Sequence, residues 1–362
     1  MREDPFIRCL KAPFSLDTEA KWTAFIQQQP DGNFFQSPGY VSLFNGCGNY
    51  QPVVLLAENF EEEITGILIA IIISDRIYGI PFQRMLIQGG PVIAKSLPNQ
   101  GDVLRSMLKA LILLVPGKTV FTEIRNLHHW DAEAAIFKEL GFTWQDHLND
   151  ILEVDSKHLL LDGIKPAKQR QIRKGIENGA IIRLASSISE IEDFYLLLRD
   201  LYKNKVMKPL PPVTFFKNFY HKIQHENKGV ILIIKYKDEV IGGMVCPFSG
   251  NHTVHELYIV SLRDKLKHLY PGVLTTWAGI DFAHQNNFNS FDFMGIGTPQ
   301  KSYGVRNFKT QFGGEIINFG RWQLINNKFR YAMGLCGFKL LTSLSKLKTY
   351  CCKLFSWMVI PD

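Results

Sequence analysis

One lysine of this 362-residue chain stands where an ammonium could act on a carbonyl. In YGVRNFKTQFGGE, residues 303–315, Lys309 lies between Phe308 and Phe312 and runs into the pair Gly313 and Gly314. Aminolysis of an ester or thioester builds negative charge on the carbonyl oxygen, and an ammonium fixed in an aromatic, low-dielectric setting stabilises that charge better than one in water. Ring faces also attract a cation. On this reading Lys309 holds the donor's acyl end or its developing oxyanion, and Phe308 orients the acyl group or the terminal base. Tyr303 and Arg306, in the same stretch, and Tyr258 are candidate substrate contacts. A lysine covering a turn while Phe308 and Phe312 fill core would give the same letters. The attacking amine must lose a proton, and candidate bases are few: Glu256 and Tyr258, on one face of HTVHELYIV, and Asp292 in FDF, with transfer through the substrate or water as the alternative. A lysine set among rings implies that deleting its charge costs turnover and little stability.

A second cationic feature is KPAKQRQIRKGIENG, residues 165–179, which reads as a helix closed by Gly179. At 100° per residue Ile172 and Ile176 share one face, with Arg170, Arg173 and Lys174 roughly opposite. That patch is either a solvated face or a phosphate-recognition surface, since guanidinium forks match phosphate oxygens. Other chemistries fail. There is no G-x-S-x-G elbow, no G-x-x-x-x-G-K-[ST] loop and no G-x-G-x-x-G after a strand. His221 and His225, with Glu226, lack the H-E-x-x-H order and a third ligand, so no metal is expected. His128 and His129 read as loop.

Composition bounds the rest. With 46% apolar residues the chain can bury a core in each of two domains. Six cysteines without an even framework suggest a reducing cytoplasm, and MREDPFIRCLKAPF lacks the apolar run of a signal peptide. The formal charge of +7 is concentrated late: from Ile316 to Pro361 there is no acid, against Arg321, Lys328, Arg330, Lys339, Lys346, Lys348 and Lys353. Interleaved with leucines and aromatics, these form a basic amphipathic tail, residues 329–362. It either packs on the domain or lies on an anionic membrane surface. Charge alone does not choose among tRNA, nucleotide and lipid partners.

The interior repeats one order twice. PVVLLAEN and ITGILIAIII read as a buried hairpin, followed by the helix VLRSMLKALILLV and the strand KTVFTEIRNL. VILIIKYKDE, VIGGMVCPFSG and HTVHELYIVS restate it, followed by GVLTTWAGIDFAHQNN and SFDFMGIG. Alternating strands and helices predict an α/β chain of two similar domains, 1–155 and 156–328, with mixed sheets flanked by helices.

NFFQSPGY (33–40), TEIRN, KELGFTWQDHLN, the basic helix and the stretch around Lys309, taken together, resemble the Fem family of peptidoglycan-bridge aminoacyltransferases, from about Asn33 to Trp322. The resemblance implies two tandem GNAT-like acyltransferase domains. It also implies transfer of an aminoacyl group from aminoacyl-tRNA, as donor substrate, to an amino group of a peptidoglycan precursor, with no further cofactor. By motif, Phe308 and Lys309 match the family's Phe-Lys pair near the acyl-transfer centre, and Arg170 its basic residue that meets precursor phosphate. The family often carries a precursor-holding lysine shortly after NFFQSPGY, whereas Val41 to Phe44 offer none, which shifts weight to a lipid-linked or altogether different acceptor. The tail adds peripheral contact with the inner face of the cytoplasmic membrane. The rival is an acyl-CoA-dependent GNAT-type N-acyltransferase. Its pyrophosphate loop would be SLRDKLKHLYPGVLTTWAG, where Gly272 stands alone before the helix. A non-catalytic envelope-associated binding module is the third reading.

Overall fold

A computed structural model describes residues 6–77, 80–154, 163–206, 208–262, 266–301 and 303–333. Most of the basic tail, from residue 334 on, and residues 263–265 of the candidate pyrophosphate loop lie outside the described residues. The first unit runs β1 (Phe6–Leu10), α1 (Leu16–Gln28), α2 (Pro38–Ser42), β2 (Tyr50–Glu58), β3 (Ile64–Ile77), β4 (Ile80–Gln88), β5 (Val92–Ile93), α3 (Gln100–Leu114), β6 (Thr119–Arg125), α4 (Ala134–Glu139), β7 (Thr143–Gln145) and β8 (Leu148–Glu153). The second runs α5 (Pro166–Glu177), β9 (Ile181–Leu184), α6 (Ile188–Leu201), α7 (Val213–Asn218), β10 (Gly229–Tyr236), β11 (Glu239–Ser249), β12 (Thr253–His255), β13 (Tyr258–Ser261), α8 (Pro271–Gln285), β14 (Ser290–Gly295), α9 (Gly304–Lys309), β15 (Glu315–Asn318) and β16 (Arg321–Ile325). Helix starts are marked by local chemistry: Ser15 accepts from Thr18 N ahead of α1, Ser187 accepts from Glu190 N ahead of α6, and Pro166 opens α5.

The duplicated order is present, with an exchange that strand counting did not anticipate. Among the described residues each unit has an eight-stranded sheet. The first is ordered β1-β2-β3-β4-β6-β16-β7 with β5 on β3; the second is β15-β8-β14-β12-β11-β10-β9 with β13 on β11. The last strand of each unit therefore lies inside the other unit's sheet. β8 runs antiparallel between β14 and β15, and β16 antiparallel between β6 and β7. β8, within the stretch DHLNDILEVD expected to close the first unit, is an inner strand of the second unit's sheet.

Both faces of the central strands are covered, which is why those strands read as nearly unbroken apolar runs. Along β2 the side chains alternate: Leu55 and Ala57 pack with Met107 and Leu111 of α3, while Val54 and Leu56 enter a core shared by both units. That shared core joins Trp22, Phe34 and Phe35 to Phe215, Phe216 and Phe219 and to Val245 of β11. A third cluster lies under α8 and includes Leu274, Ile280, Phe291 and Phe312. A cleft between the units thus has walls built on two packed sheets.

Candidate active site

The cleft begins where one strand leaves its neighbour. β12 pairs with β14 in parallel from Thr253↔Ser290 to His255↔Asp292. At the next residue Glu256 N donates to Asp292 O (2.9 Å), Leu257 N donates to Val245 O (3.0 Å), and β13 continues on β11 alone among the described residues. The predicted strand HTVHELYIV is therefore broken at Glu256. The wedge between β13 and β14 opens into a cleft of about 980 Å³, which Tyr258, Phe293 and Lys309 line from the second unit and Tyr50, Arg84 and Arg125 from the first.

Lys309 ends α9 and is 7% exposed at the cleft wall. Its Nζ donates to Phe293 O (2.5 Å) and to Glu256 Oε1 (2.7 Å). The ring expected to cage it does not: Phe312 is buried in the core beneath α8, and Phe308 packs edge-on against Phe312 with the Lys168 ammonium 5.0 Å from its centroid. The nearest ring face is that of Phe293, at 6.0 Å. A carboxylate and a carbonyl hold this ammonium, and two of its three donors are engaged, leaving one for a ligand in the cleft. Because the Glu256 pair is buried, deleting the lysine's charge must cost stability, contrary to the expectation from sequence.

Asp150, on the exchanged strand β8, sits behind this pair. It is fully buried, and neither carboxylate oxygen has a hydrogen-bond partner among the described residues. Burial pushes it up to about 7; the Lys309 ammonium opposes that shift, and the Asp292 and Glu256 carboxylates add to it. Gly314, at φ +108°, lets the chain pass directly beside Asp150 Oδ1, where any Cβ would collide with that oxygen.

The other predicted residues divide. Tyr258 lines the cleft within ring contact of Tyr202, Phe215 and Phe216, and burial raises its phenol well above the usual range. Tyr303 lines the mouth and is 42% exposed. Arg306 is committed to backbone: its guanidinium donates to the carbonyls of Ile296, Thr298 and Lys301, fixing the loop between β14 and α9. Asp292 is buried outside the cleft lining, so it is not positioned as the base. It accepts from Met294 N (2.7 Å) and faces His255 Nδ1 (3.3 Å), whose Nε2 meets Ser249 Oγ (2.7 Å), which in turn accepts from Phe34 N (3.2 Å). That chain ties β12, which ends one residue before Glu256, to the first unit. Arg170, Arg173 and Lys174 are exposed on α5 and do not line the cleft. The inner face of α5 is Ile172 and Gly175, and Ile176 is 49% exposed. A side chain at 175 would hold α5 off Leu269 and Leu274. His221 and His225 are exposed, and no group of three His, Cys, Asp or Glu gathers at metal-binding distance among the described residues.

Sequence reasoning missed the opposite wall. Glu123 of β6 accepts from Arg125 Nε (2.7 Å) and from Arg321 Nη1 (3.3 Å), and Arg321 Nη2 donates to His147 Nε2 (2.7 Å). Although burial opposes it, the guanidiniums hold Glu123 down at about 2; burial and Arg321 hold His147 at about 3, a neutral acceptor. Arg84 of β4 and Lys208 also line this wall. TEIRN and the C-terminal basic run contain Arg125 and Arg321, yet only the pairing of β16 with β6 sets them opposite each other, Arg321↔Arg125.

Residues 167–309 match the acetyltransferase (GNAT) domain family. No curated protein matches the sequence. Among solved structures the fold is similar to FemX, at TM-score 0.65 and 14% identity over 90% of this chain and 99% of that one. It is also similar to L-PGS from Bacillus licheniformis (0.55, 12%, 88% and 95%), and to a tandem GNAT protein from the clavulanic acid biosynthesis pathway (0.53, 11%, 89% and 99%). The chain has the fold of the tandem GNAT acyltransferases. Within that class its arrangement is Fem-like.

Proposed function

We propose that this chain is an acyltransferase of Fem type, moving an aminoacyl group from a tRNA ester to an amino group of a cell-wall precursor, with Lys309 and Glu256 at the reacting atoms. The observation that carries this is the Glu256–Lys309 pair, 2.7 Å apart at the wall of the cleft. Attack by the amine forms the C–N bond and places negative charge on the former carbonyl oxygen, which the remaining Lys309 N–H receives. Glu256 takes the proton the amine loses. Collapse breaks the C–O bond to the ribose, and that proton goes to the leaving oxygen. A lysine already bound to a carboxylate and a carbonyl is held in place before substrate arrives, so little reorganisation accompanies the step.

The acyl-CoA reading is disfavoured by the start of α8. In ordinary GNAT logic a helix N-terminus there receives pyrophosphate. Here Pro271, Gly272 and Val273 are buried, and α5 is packed against Leu269 and Leu274 through Gly175. Purified protein incubated with aminoacyl-tRNA or acyl-CoA, and with lipid-linked and soluble precursors, separates the readings. Consumption of the ester donor alone is expected. Consumption of thioesters alone hands the assignment to the rival, and turnover of neither leaves the binding module. Action at the membrane surface rests on the basic tail, and liposome flotation of the chain with and without the residues after 338 tests it.

A further inference from the structure

The cleft carries more positive charge than the carboxylates at its wall balance. Among the described residues, Arg84, Arg125, Lys208, Lys301, Lys309 and Arg321 line the cleft against one lining carboxylate, Glu256, which is already paired with Lys309. Glu123 lies just behind the wall and serves two guanidiniums at once, those of Arg125 and Arg321. Like charges set directly opposite on neighbouring strands repel, and here Arg321 and Arg125 are register partners. The strain is visible in the groups themselves: burial, then Arg125, brings Arg321 down to about 10, and the same two causes in the same order lower Arg84 and Lys208. Arg84 Nε and Arg321 Nε are buried with no hydrogen-bond partner among the described residues. A folded chain keeps buried guanidinium N–H groups without acceptors only at a cost, and a bound anion that accepts from them removes it.

We infer that Arg84, Arg125, Arg321 and Lys208 form a binding site for a phosphate or diphosphate group carried by one of the two substrates. Counting Glu123, the four cations leave three charges to be met. Guanidinium forks suit the several oxygens of a phosphoryl group better than one carboxylate does. The site is composite: Arg84 and Arg125 come from the first unit, Lys208 from the second, and Arg321 from the second unit's exchanged strand. It also adjoins the reacting groups. The His147 ring that accepts from Arg321 packs on Gly295, two residues beyond the Phe293 carbonyl that holds Lys309. The exposed patch of Arg170, Arg173 and Lys174 is not part of it. This assignment rests on the proposed acyl transfer only for which substrate bears the phosphate; the anion site itself is independent of that reaction.

Inorganic pyrophosphate is the probe, titrated calorimetrically into the full chain at two salt concentrations. Saturable binding that weakens with salt is expected, lost at least tenfold in Arg84→Gln and in Arg125→Gln, partly kept in Arg84→Lys, and unchanged in Arg170→Gln. The Arg84 side chain makes no hydrogen bond among the described residues, so its replacement is expected to leave the fold intact, which circular dichroism checks. Absence of saturable binding, or binding indifferent to Arg84→Gln and Arg125→Gln, overturns the site whether or not acyl transfer is observed. In turnover assays pyrophosphate competing with the acceptor assigns the phosphate to the acceptor, and competing with the donor assigns it to the donor. Competition with neither overturns the substrate assignment.

Discussion

Replacing Lys309 by Met keeps most of the apolar stem and removes the ammonium, and the structure fixes two separate consequences. The first is catalytic: loss of one positioned oxyanion donor costs about 100- to 1,000-fold in kcat, or about 3–4 kcal/mol of transition-state stabilisation. The second is structural. Lys309 and Glu256 have side chains 8% and 2% exposed, so the variant leaves a carboxylate buried without its partner. Breaking a buried pair on one side costs about 3–5 kcal/mol. At about 2–4 °C per kcal/mol for a domain of this size, that is a fall in Tm on the order of 10 °C. The double variant Lys309→Met with Glu256→Gln removes the stranded charge and recovers most of the lost Tm, while kcat stays low. Single-turnover rates with saturating donor, beside thermal melts of the single and double variants at one pH, give both numbers. A Lys309→Met enzyme with undiminished kcat refutes the oxyanion role. Equal melting of single and double variants refutes the buried pair.

Asp150 gives a stability signature with a definite sign. Its folded value, about 7, lies above its ordinary value of 3.8, so between those limits the folded state holds a proton that the unfolded state has lost, and its contribution falls as pH rises from about 4 through 7. Asp150→Asn should flatten denaturation midpoints across that window and be more stable than the parent at pH 8; an unchanged slope removes the argument. Gly175→Val puts a Cβ 2.6 Å from Leu269 O and 2.9 Å from Leu274 Cδ1, so overpacking of about 1–3 kcal/mol is expected in urea melts. Arg306→Met releases three loop carbonyls and should lower kcat through a loosened 296–301 loop while leaving pyrophosphate binding intact; equal loss of both would make Arg306 a ligand contact.

Much of the scaffold could be read from the letters because burial on both faces leaves a plain record. ITGILIAIII and VIGGMVCPFSG are long apolar runs, and they are the strands β3 and β11. Lys309 could be singled out because a lysine among phenylalanines is locally odd. Glu256 stood out as a candidate base but not as the partner of Lys309, since it is 53 residues earlier and reaches it only where β12 parts from β14. Helical periodicity favoured Ile176 as an inward residue, but the glycine beside it permits the closer approach of α8, so the helix turns Gly175 inward instead. Strand exchange leaves no trace in a linear pattern: β8 and β16 have the length and alternation of ordinary closing strands, whichever sheet receives them. Arg84, Arg125 and Arg321 are isolated along the sequence and meet only after that exchange.

The exchange also sets how the molecule could be divided. Cut between its two repeats, neither half would hold the strand that fills its own sheet; each would carry a loose strand and an empty slot flanked by unpaired peptide groups. Such fragments have reason to find each other, or other copies of themselves, before they find a fold. Two free copies exchanging strands in this way would form a reciprocal dimer, and carrying both units in one polypeptide makes that partnership independent of concentration.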